Sequence, residues 1–228
     1  ILVRGMAHEI KNPLGGIRGA AQLLDRELSS EDQREYTRVI IDEADRLRSL
    51  VDRMLGPNKA LKLAPTNIHE ILERVGTLLE AESKGRLNFE RDYDPSIPEF
   101  KGDKEQLIQA FLNIARNAME AAFENQGGHS SEEPPTITFR TRTLRQFTIG
   151  NRRHKLVCRV DVIDNGPGIP PELVQNIFYP MISGRASGTG LGLSITQSII
   201  GQHRGLVECE SEPGRTDFII FLPLDDTP

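Results

Sequence analysis

Four short stretches carry residues able to do chemistry. The string HEIKNP places His8 and Asn12 one helical turn apart, about 40° from each other around a helix. An imidazole is a nucleophile and a proton carrier near neutral pH. A single exposed histidine is ordinarily mere surface. Here Gly15 and Gly19 continue the same face, and Pro13 disturbs the backbone bonding. Two glycines inside a helix cost about 1 kcal/mol each against alanine, so the face is bare at a cost that suits close approach by another group.

In the second stretch Asn113 and Asn117 again lie one turn apart, bordering an apolar face made by Leu107, Phe111, Ile114, Ala118 and Ala122. Two carboxamide oxygens pointing into one cavity suit Mg²⁺, a hard cation that shares phosphate oxygens. Alone, the pair reads more readily as two surface asparagines. In the third stretch, DNGPGIP (Asp164–Pro170) offers an acceptor at Asp164 for an exocyclic amine. Gly166 and Gly168 there permit close backbone approach. The same string also reads as a simple turn. Downstream, GTGLGLSI frees the backbone N–H groups of Gly188, Gly190 and Gly192 at the start of a helix, a phosphate cradle. Arg185 just before it would reach a terminal phosphate. Phe178-Tyr179-Pro180 reads as an aromatic anchor, and Ser183–Gly188 as a mobile lid.

Apolar residues at Ile10, Leu14, Ile17, Ala21, Leu24 and Leu28 form a heptad seam over Met6–Leu28. The seam positions fall about 160° to 240° from His8, which therefore faces solvent. After Ser29-Ser30 a second seam runs through Tyr36, Ile40, Ala44, Leu47, Val51 and Met54, from Glu31 to Leu55, and Gly56-Pro57 ends it. A lone hairpin buries half of such seams. A second copy completing a four-helix bundle is the preferred expectation, and cover by the rest of the chain is the alternative.

From Pro65 onward the pattern changes. Helices are expected at Ile68–Glu82, from an Asp103 N-cap to Phe123, and at Leu191–Gln202. Strands are expected at Leu87–Tyr93, Thr136–Leu144, Gln146–Asp164, Leu206–Glu210 and Thr216–Leu222, with Gly150-Asn151 as a hairpin turn. Gly127–Pro135 is a polar, mobile loop, and the basic cluster Arg152, Arg153, His154, Lys155 is a solvated hairpin end. The fold class is α+β.

The chain has 228 residues, 28 Lys and Arg against 33 Asp and Glu, and a net charge of −5. The pI is near 5.6 and the mean hydropathy −0.38. A dedicated nucleic-acid binder carries the opposite charge balance. No apolar run is long enough to span a membrane or to form a signal peptide. Two cysteines, Cys158 and Cys209, make no disulfide framework and suit a reducing cytosol. A chain that starts at Ile1 inside a helix reads as a fragment lacking its N-terminal portion.

Taken in order, these elements resemble the sensor histidine kinases of two-component systems. HEIKNPL (His8–Leu14) is similar to that family's H box and NIARNAMEAA (Asn113–Ala122) to its N box. DNGPGIP is similar to its G1 box, Phe178 to its F box and GTGLGL to its G2 box. EPGRTDFIIFLP (Glu212–Pro223) resembles its final strand pair. More narrowly, HEIKNPLGGIRGAAQLL, RTRTLRQFTI and FYPMISGRASGTGLGL resemble nitrogen-regulation sensor kinases of the NtrB type.

The resemblance implies a dimerisation and histidine phosphotransfer domain at 1–56, a linker at 57–64 and a catalytic ATP-binding domain at 65–228. The first is a helical hairpin dimerising into a four-helix bundle. The last is a Bergerat (GHKL) α/β sandwich. Mg-ATP would sit between the N-box helix and the glycine-rich lid, with Mg²⁺ on Asn117 and Asn113. Arg116, Asp164, Gly166, Gly168 and Phe178 would complete one side of the nucleotide site. Arg185, Gly188, Thr189, Gly190, Leu191, Gly192 and Thr216 would complete the other. His8 would accept the γ-phosphoryl group at Nε2, Glu9 would polarise the other ring nitrogen, and Asn12 would orient water for dephosphorylation. The phosphoryl group would pass to an aspartate in the receiver domain of an NtrC-type response regulator, with phosphatase activity toward it. A homodimer, a PII-type signalling partner and a cytoplasmic location follow from the same resemblance, with no direct nucleic-acid contact and no membrane insertion by these residues.

Two other readings share some of these features. A plain Bergerat-fold ATPase, like the chaperone, gyrase and mismatch-repair enzymes, gives His8 no role. It also needs an acidic residue where Asn113 stands. An ATP-binding phosphatase or scaffold without autokinase activity would not require an intact H box and glycine loop. A zinc enzyme is disfavoured, since the five histidines form no ligand-spaced pair.

Overall fold

The structure, a computed structural model, describes residues 2–54, 60–126, 134–182 and 190–225; for residues 2–9, 48–54 and 125–126 it describes the backbone only. Most of the polar loop expected at 127–135 and all of the lid expected at 183–188 lie outside the described residues. The chain divides into two compact units, Ile1–Asn58 and Lys59–Pro228.

The first unit is a hairpin of α1 (Leu2–Glu27) and α2 (Glu31–Met54). Glu31 and Asp32 in the first turn of α2 complement its dipole. Leu14 and Ala21 on α1 are buried, as are Thr37 and Ala44 on α2. Thr37 donates to Asp25 across the hairpin, and Arg18 grips Asp45 with Nε at 2.8 and 3.0 Å from its two carboxylate oxygens. Apart from the half-buried Leu28, the rest of the described seam is uncovered. Ile10, Ile17 and Leu24 on α1, and Tyr36, Ile40 and Leu47 on α2, range from 43% exposed at Ile40 to 71% at Tyr36. Thr37, absent from the expected seam, is buried because its hydroxyl has two partners, Asp25 and the Arg34 carbonyl.

The second unit is an α/β sandwich. Its five-stranded mixed sheet has the order β2-β4-β5-β7-β6, with β2 at Asn88–Asp92, β4 at Thr136–Ile149, β5 at Arg152–Asp164, β6 at Leu206–Glu212 and β7 at Arg215–Pro223. β2 runs parallel to β4, and all the other pairs are antiparallel. A small ladder joins β1 (Ala64–Thr66) to β3 (Phe100–Gly102). The helices are α3 (Ile68–Ser83), α4 (Lys104–Gln126), the single turn α5 (Pro171–Val174) and α6 (Gly192–Gln202).

Alternation along the strands decides the core. Ile137 and Phe139 on β4, Val160 and Val162 on β5, and Ile220 and Leu222 on β7 share one face and are buried with Leu72, Val75 and Leu79 of α3, Phe111 and Ile114 of α4, and Ile199 of α6. Full burial of each such side chain contributes about 1.5–3 kcal/mol. The opposite face carries ion pairs (Asp92 with Arg140 and Arg142, Asp161 with Arg159, Asp217 with Arg215) and a small apolar cluster of Ile149, Val157, Ile219 and Phe221.

The sequence reading breaks the first long strand at Arg145. In the structure β4 runs unbroken to Ile149. Gln146 takes a φ of 54°, which turns the pleat so that Phe147 stacks on Phe221 at 4.7 Å between ring centroids. Gly150, at φ 60°, then makes the two-residue hairpin turn with Asn151. The backbone of α1 begins at Leu2 rather than Met6, while β2 keeps only the middle of its expected span.

Candidate functional site

A cavity of about 440 Å³ opens between α4, the loop that follows β5, α5 and the start of α6. The helix that dominates it is fixed at its first turn. Asp103 Oδ1 accepts the Gln106 N–H at 3.2 Å, and Oδ2 accepts the Lys62 N–H at 2.9 Å. Burial alone would raise the Asp103 pKa, but these backbone donors outweigh it and hold the carboxyl below its usual value. From that start one face of α4 presents Asn113, Arg116, Asn117, Glu120 and Glu124 to the cavity at helical spacing.

Asn113 Nδ2 donates to the Gly192 carbonyl at 3.2 Å, tying α4 to the first turn of α6. That bond commits the amide nitrogen and keeps the carboxamide oxygen as an acceptor. With Asn117 one turn on, the pair supplies two hard oxygen donors of the kind Mg²⁺ takes alongside phosphate oxygens. Arg116 reaches the cavity edge but pairs with Glu82 of α3 at 3.0 Å.

Asp164 ends β5, is 2% exposed, and accepts the Gly166 N–H at 2.9 Å. This short loop bond turns the chain back toward α4. A Cβ on Gly166 would lie 2.7 Å from both the Ala121 Cβ and Asp164 Oδ1. Gly166 therefore packs the loop onto α4 without itself lining the cavity. Gly168 lines it, at φ 88°, and a Cβ there would stand 2.5 Å from the Glu212 carbonyl oxygen. Thr216 sits beside Asp164 in the β5–β7 register, is buried, and also lines the cavity.

At the other end Gly190 and Gly192 line the cavity at the N-terminus of α6. Gly190, at φ 64°, is packed against Met181 and Ile182, and its carbonyl accepts the Met181 N–H at 2.9 Å. Leu191 is buried at the N-cap and does not line the cavity. Phe178 is half-buried and does not line it either; its neighbour Ile177 does.

Arg185, Gly188 and Thr189 lie outside the described residues. His8 and Glu9 lie on the backbone of α1, with side chains outside the described set, and Asn12 is exposed on the same helix. Cβ atoms on Gly15, Gly16 or Gly19 would meet nothing within 4 Å, so this stretch of α1 is bare.

Residues that sequence reasoning missed include Glu120 and Glu124, which follow Asn117 by three and seven positions on the same helix face. Periodicity could have found them. Ile169, Leu173, Ile177 and Phe218 build the apolar wall, and the first three depend on the turn at α5, which has no pattern of its own. The cavity is thus apolar and carboxylate-tipped at one end. At the other it has carboxamides and a helix N-terminus. That combination fits a flat heterocycle with an exocyclic amine at the first end and phosphates at the second.

Residues 102–226 match the family model described as histidine kinase-, DNA gyrase B-, and HSP90-like ATPase, and residues 1–60 match that of the His Kinase A (phospho-acceptor) domain. The chain is 55% identical over 224 residues to the sensory histidine kinase/phosphatase NtrB of Vibrio alginolyticus. It is 52% identical over 223 residues to the NtrB of Salmonella typhimurium. Each alignment covers 98% of this chain and 62% of the relative, so the chain spans less than two thirds of those proteins. Among solved structures it resembles the histidine kinase ThkA in complex with the response regulator protein TrrA, with a TM-score of 0.59 and 26% identity over 98% of this chain and 61% of that one. Full-length ShkA in complex with AMPPNP shares the fold, with a TM-score of 0.61 and 24% identity over 99% of this chain and 46% of that one.

Proposed function

The chain belongs to the histidine kinase-, DNA gyrase B-, and HSP90-like ATPases, and from that membership we propose that it is an ATP-dependent protein-histidine kinase that phosphorylates its own His8. The observation that carries the reading is the cavity that unites Asp164, the Asn113–Asn117 face of α4 and the N-terminus of α6. Asp164 accepts a hydrogen bond from the adenine amine, Gly168 and Thr216 flank the base, and Gly190 and Gly192 offer backbone N–H groups to the phosphates. Gly166, Phe178 and Leu191 shape the walls from behind. Arg116, Arg185, Gly188 and Thr189 complete the phosphate end. Asn117 and Asn113 would hold Mg²⁺, which neutralises phosphate charge when bound.

His8 Nε2 attacks the γ-phosphorus in line, ADP leaves, and Glu9 accepts the Nδ1–H so that the ring is held in the reactive tautomer. Little covalent chemistry is asked of the protein beyond positioning, which suits a bare helix face around His8.

Residues 1–56 form the dimerisation and phosphotransfer domain, 57–64 a linker, and 65–228 the catalytic domain. The uncovered seam of Ile10, Ile17, Leu24, Tyr36, Ile40 and Leu47 supports a homodimer closed into a four-helix bundle. The phosphoryl group then passes to an aspartate of an NtrC-type response regulator. Asn12 orients the water that reverses this step in a phosphatase mode, and a PII-type protein sets the balance. The dual kinase/phosphatase character of the NtrB relatives and the complex of ThkA with its response regulator TrrA support the regulator and the dual activity. None of the helices, among the described residues, is long and apolar enough to cross a membrane, in keeping with a cytoplasmic location.

Incubation with γ-labelled ATP and Mg²⁺ tests the reading. An acid-labile, base-stable label is expected, transferable to an NtrC-type regulator. A label of equal intensity in a His8→Gln variant overturns the assignment.

A further inference from the structure

Thr216 and Asp217 are neighbours on β7 and face opposite sides of the sheet. Thr216 lines the nucleotide cavity; Asp217 stands behind it, 4% exposed, in a small cleft shared with Glu210, Ser211, Glu212 and Arg215. Asp217 Oδ2 accepts from the Arg215 guanidinium at 3.0 Å. Its Oδ1 is buried and has no hydrogen-bond partner among the described residues. Leaving such an oxygen unsatisfied is costly, most of all when it is charged.

The charges facing Asp217 come from three strands. Arg215 lies on its own strand, and Glu210 is its register partner on β6. On β5, Ile163 is its direct partner and Asp161 is diagonal to it. Asp161 is buried as well and is held by Arg159 Nε at 2.7 Å. One strand further, Arg140 is the register partner of Asp161 but pairs with Asp92. Burial first, and Asp161 second, push the Asp217 carboxyl up to about 6 against the pull of Arg215 and Arg159.

The β6–β7 hairpin that carries this group also props the cavity wall. Ser211 Oγ accepts the Ile169 N–H at 2.8 Å and meets Thr216 Oγ1 at 3.0 Å. The Gly168 backbone packs on the Glu212 carbonyl so closely that no Cβ fits between them. Ile169 and Gly168 line the cavity.

We infer that Asp217 is a proton-linked positioning residue: ionised, it holds Arg215 and the Glu212–Arg215 turn beneath the Gly168–Ile169 loop, and protonated, it releases Arg215 and loosens that wall of the cavity. The inference rests on the nucleotide reading of that cavity. A ligand that needs the wall in place favours the ionised form, so its binding expels a proton to solvent, and by linkage its affinity rises with pH through the Asp217 transition.

Calorimetric titration of the whole chain with ADP and Mg²⁺, at about pH 5.5 and 7.5 and in buffers of different ionisation enthalpy, reads both quantities. Wild type should lose about threefold more affinity on acidification than Asp217→Asn, and should release more protons near pH 6. The Asn variant should bind weakly at both pH values. It should melt no lower than wild type near neutral pH, since it removes a buried charge that faces Asp161. Arg215→Gln changes a half-exposed side chain and should show the same weakened binding at the higher pH. Equal pH profiles and proton counts in wild type and both variants overturn the inference while leaving the nucleotide reading intact. Absence of ADP binding by wild type overturns the nucleotide reading and this inference with it.

Discussion

His203 Nε2 accepts the backbone N–H of Asp103 at 2.9 Å, so the last turn of α6 is pinned to the N-cap of α4. The other ring nitrogen donates to the Ile199 carbonyl at 2.8 Å, which fixes the neutral Nδ1–H tautomer. The two helices that give one end of the cavity its carboxamides, from the middle of α4, and its helix N-terminus, from the start of α6, are therefore held by one imidazole that must stay neutral.

Acid should break that link. Burial lowers the His203 pKa below its usual value, and the backbone bond and Asp103, which pull the other way, do not reverse it. The unfolded chain therefore takes up a proton that the folded chain refuses. Stability conferred by neutral His203 is present above about pH 6.5 and is lost as pH falls toward the folded-state value. Denaturant unfolding should show this loss in wild type and a smaller one in His203→Gln. His203→Leu should cost about 1–3 kcal/mol at neutral pH, because the Asp103 N–H and the Ile199 carbonyl both lose a partner.

Gly168→Ala should damage the site more than the fold. A methyl group at φ 88° and 2.5 Å from the Glu212 carbonyl forces the loop away from the β6–β7 hairpin. Nucleotide affinity, measured by calorimetry, should fall by about tenfold or more, with a stability loss of about 1–3 kcal/mol. Gly150→Ala, at a similar φ but in open space, should lose stability alone.

The exposed seam makes its own forecast. Ile17 and Ile40 lie on the uncovered faces of α1 and α2. A charge at either position would be buried at the centre of a four-helix bundle and left unpaired. Ile17→Glu should convert the proposed dimer to monomer, as read by analytical ultracentrifugation at micromolar concentration. A monomeric wild type of unchanged helicity would contradict the dimer.

The seam, the Asp103 N-cap and the Gly150-Asn151 turn were legible because each rests on local chemistry: periodicity, a side chain bonding its own helix, a glycine with positive φ. β1 and β3 were not, because three residues each at Ala64–Thr66 and Phe100–Gly102 carry no alternation and exist only by pairing with one another. The continuous β4 was missed for a related reason. Gln146 accepts a left-handed φ only because the hairpin register and the Phe147–Phe221 stack hold it. In the cavity, the carboxamide pair and the glycines could be found from spacing, while the support behind them could not. Ser211 reaches Ile169 across 42 positions, and Asp217 matters through what it fails to bond. Glu120 and Glu124 share the helical face of Asn117, a relation periodicity carries, but only the fold brings that face to the loop after β5.

Asp164 gives the sharpest separation of fold from chemistry. Its Oδ1 accepts the Gly166 N–H, a bond that an asparagine oxygen can keep, so Asp164→Asn should preserve the loop and unfold within about 1 kcal/mol of wild type. What the substitution removes is the negative charge that the proposed nucleotide pose sets against the adenine amine. Hydrogen bonds to a charged group contribute about 1.5–3 kcal/mol, so affinity for ADP should drop roughly tenfold to a hundredfold. The loss should be specific to the base. Guanine presents a carbonyl where adenine presents the amine, and a carboxylate repels that oxygen while a carboxamide can donate to it. Asp164→Asn should therefore narrow the gap between ADP and GDP. An unchanged ratio of the two affinities, with both nucleotides still bound, would move the base out of reach of Asp164 and reverse the orientation of the nucleotide in the cavity.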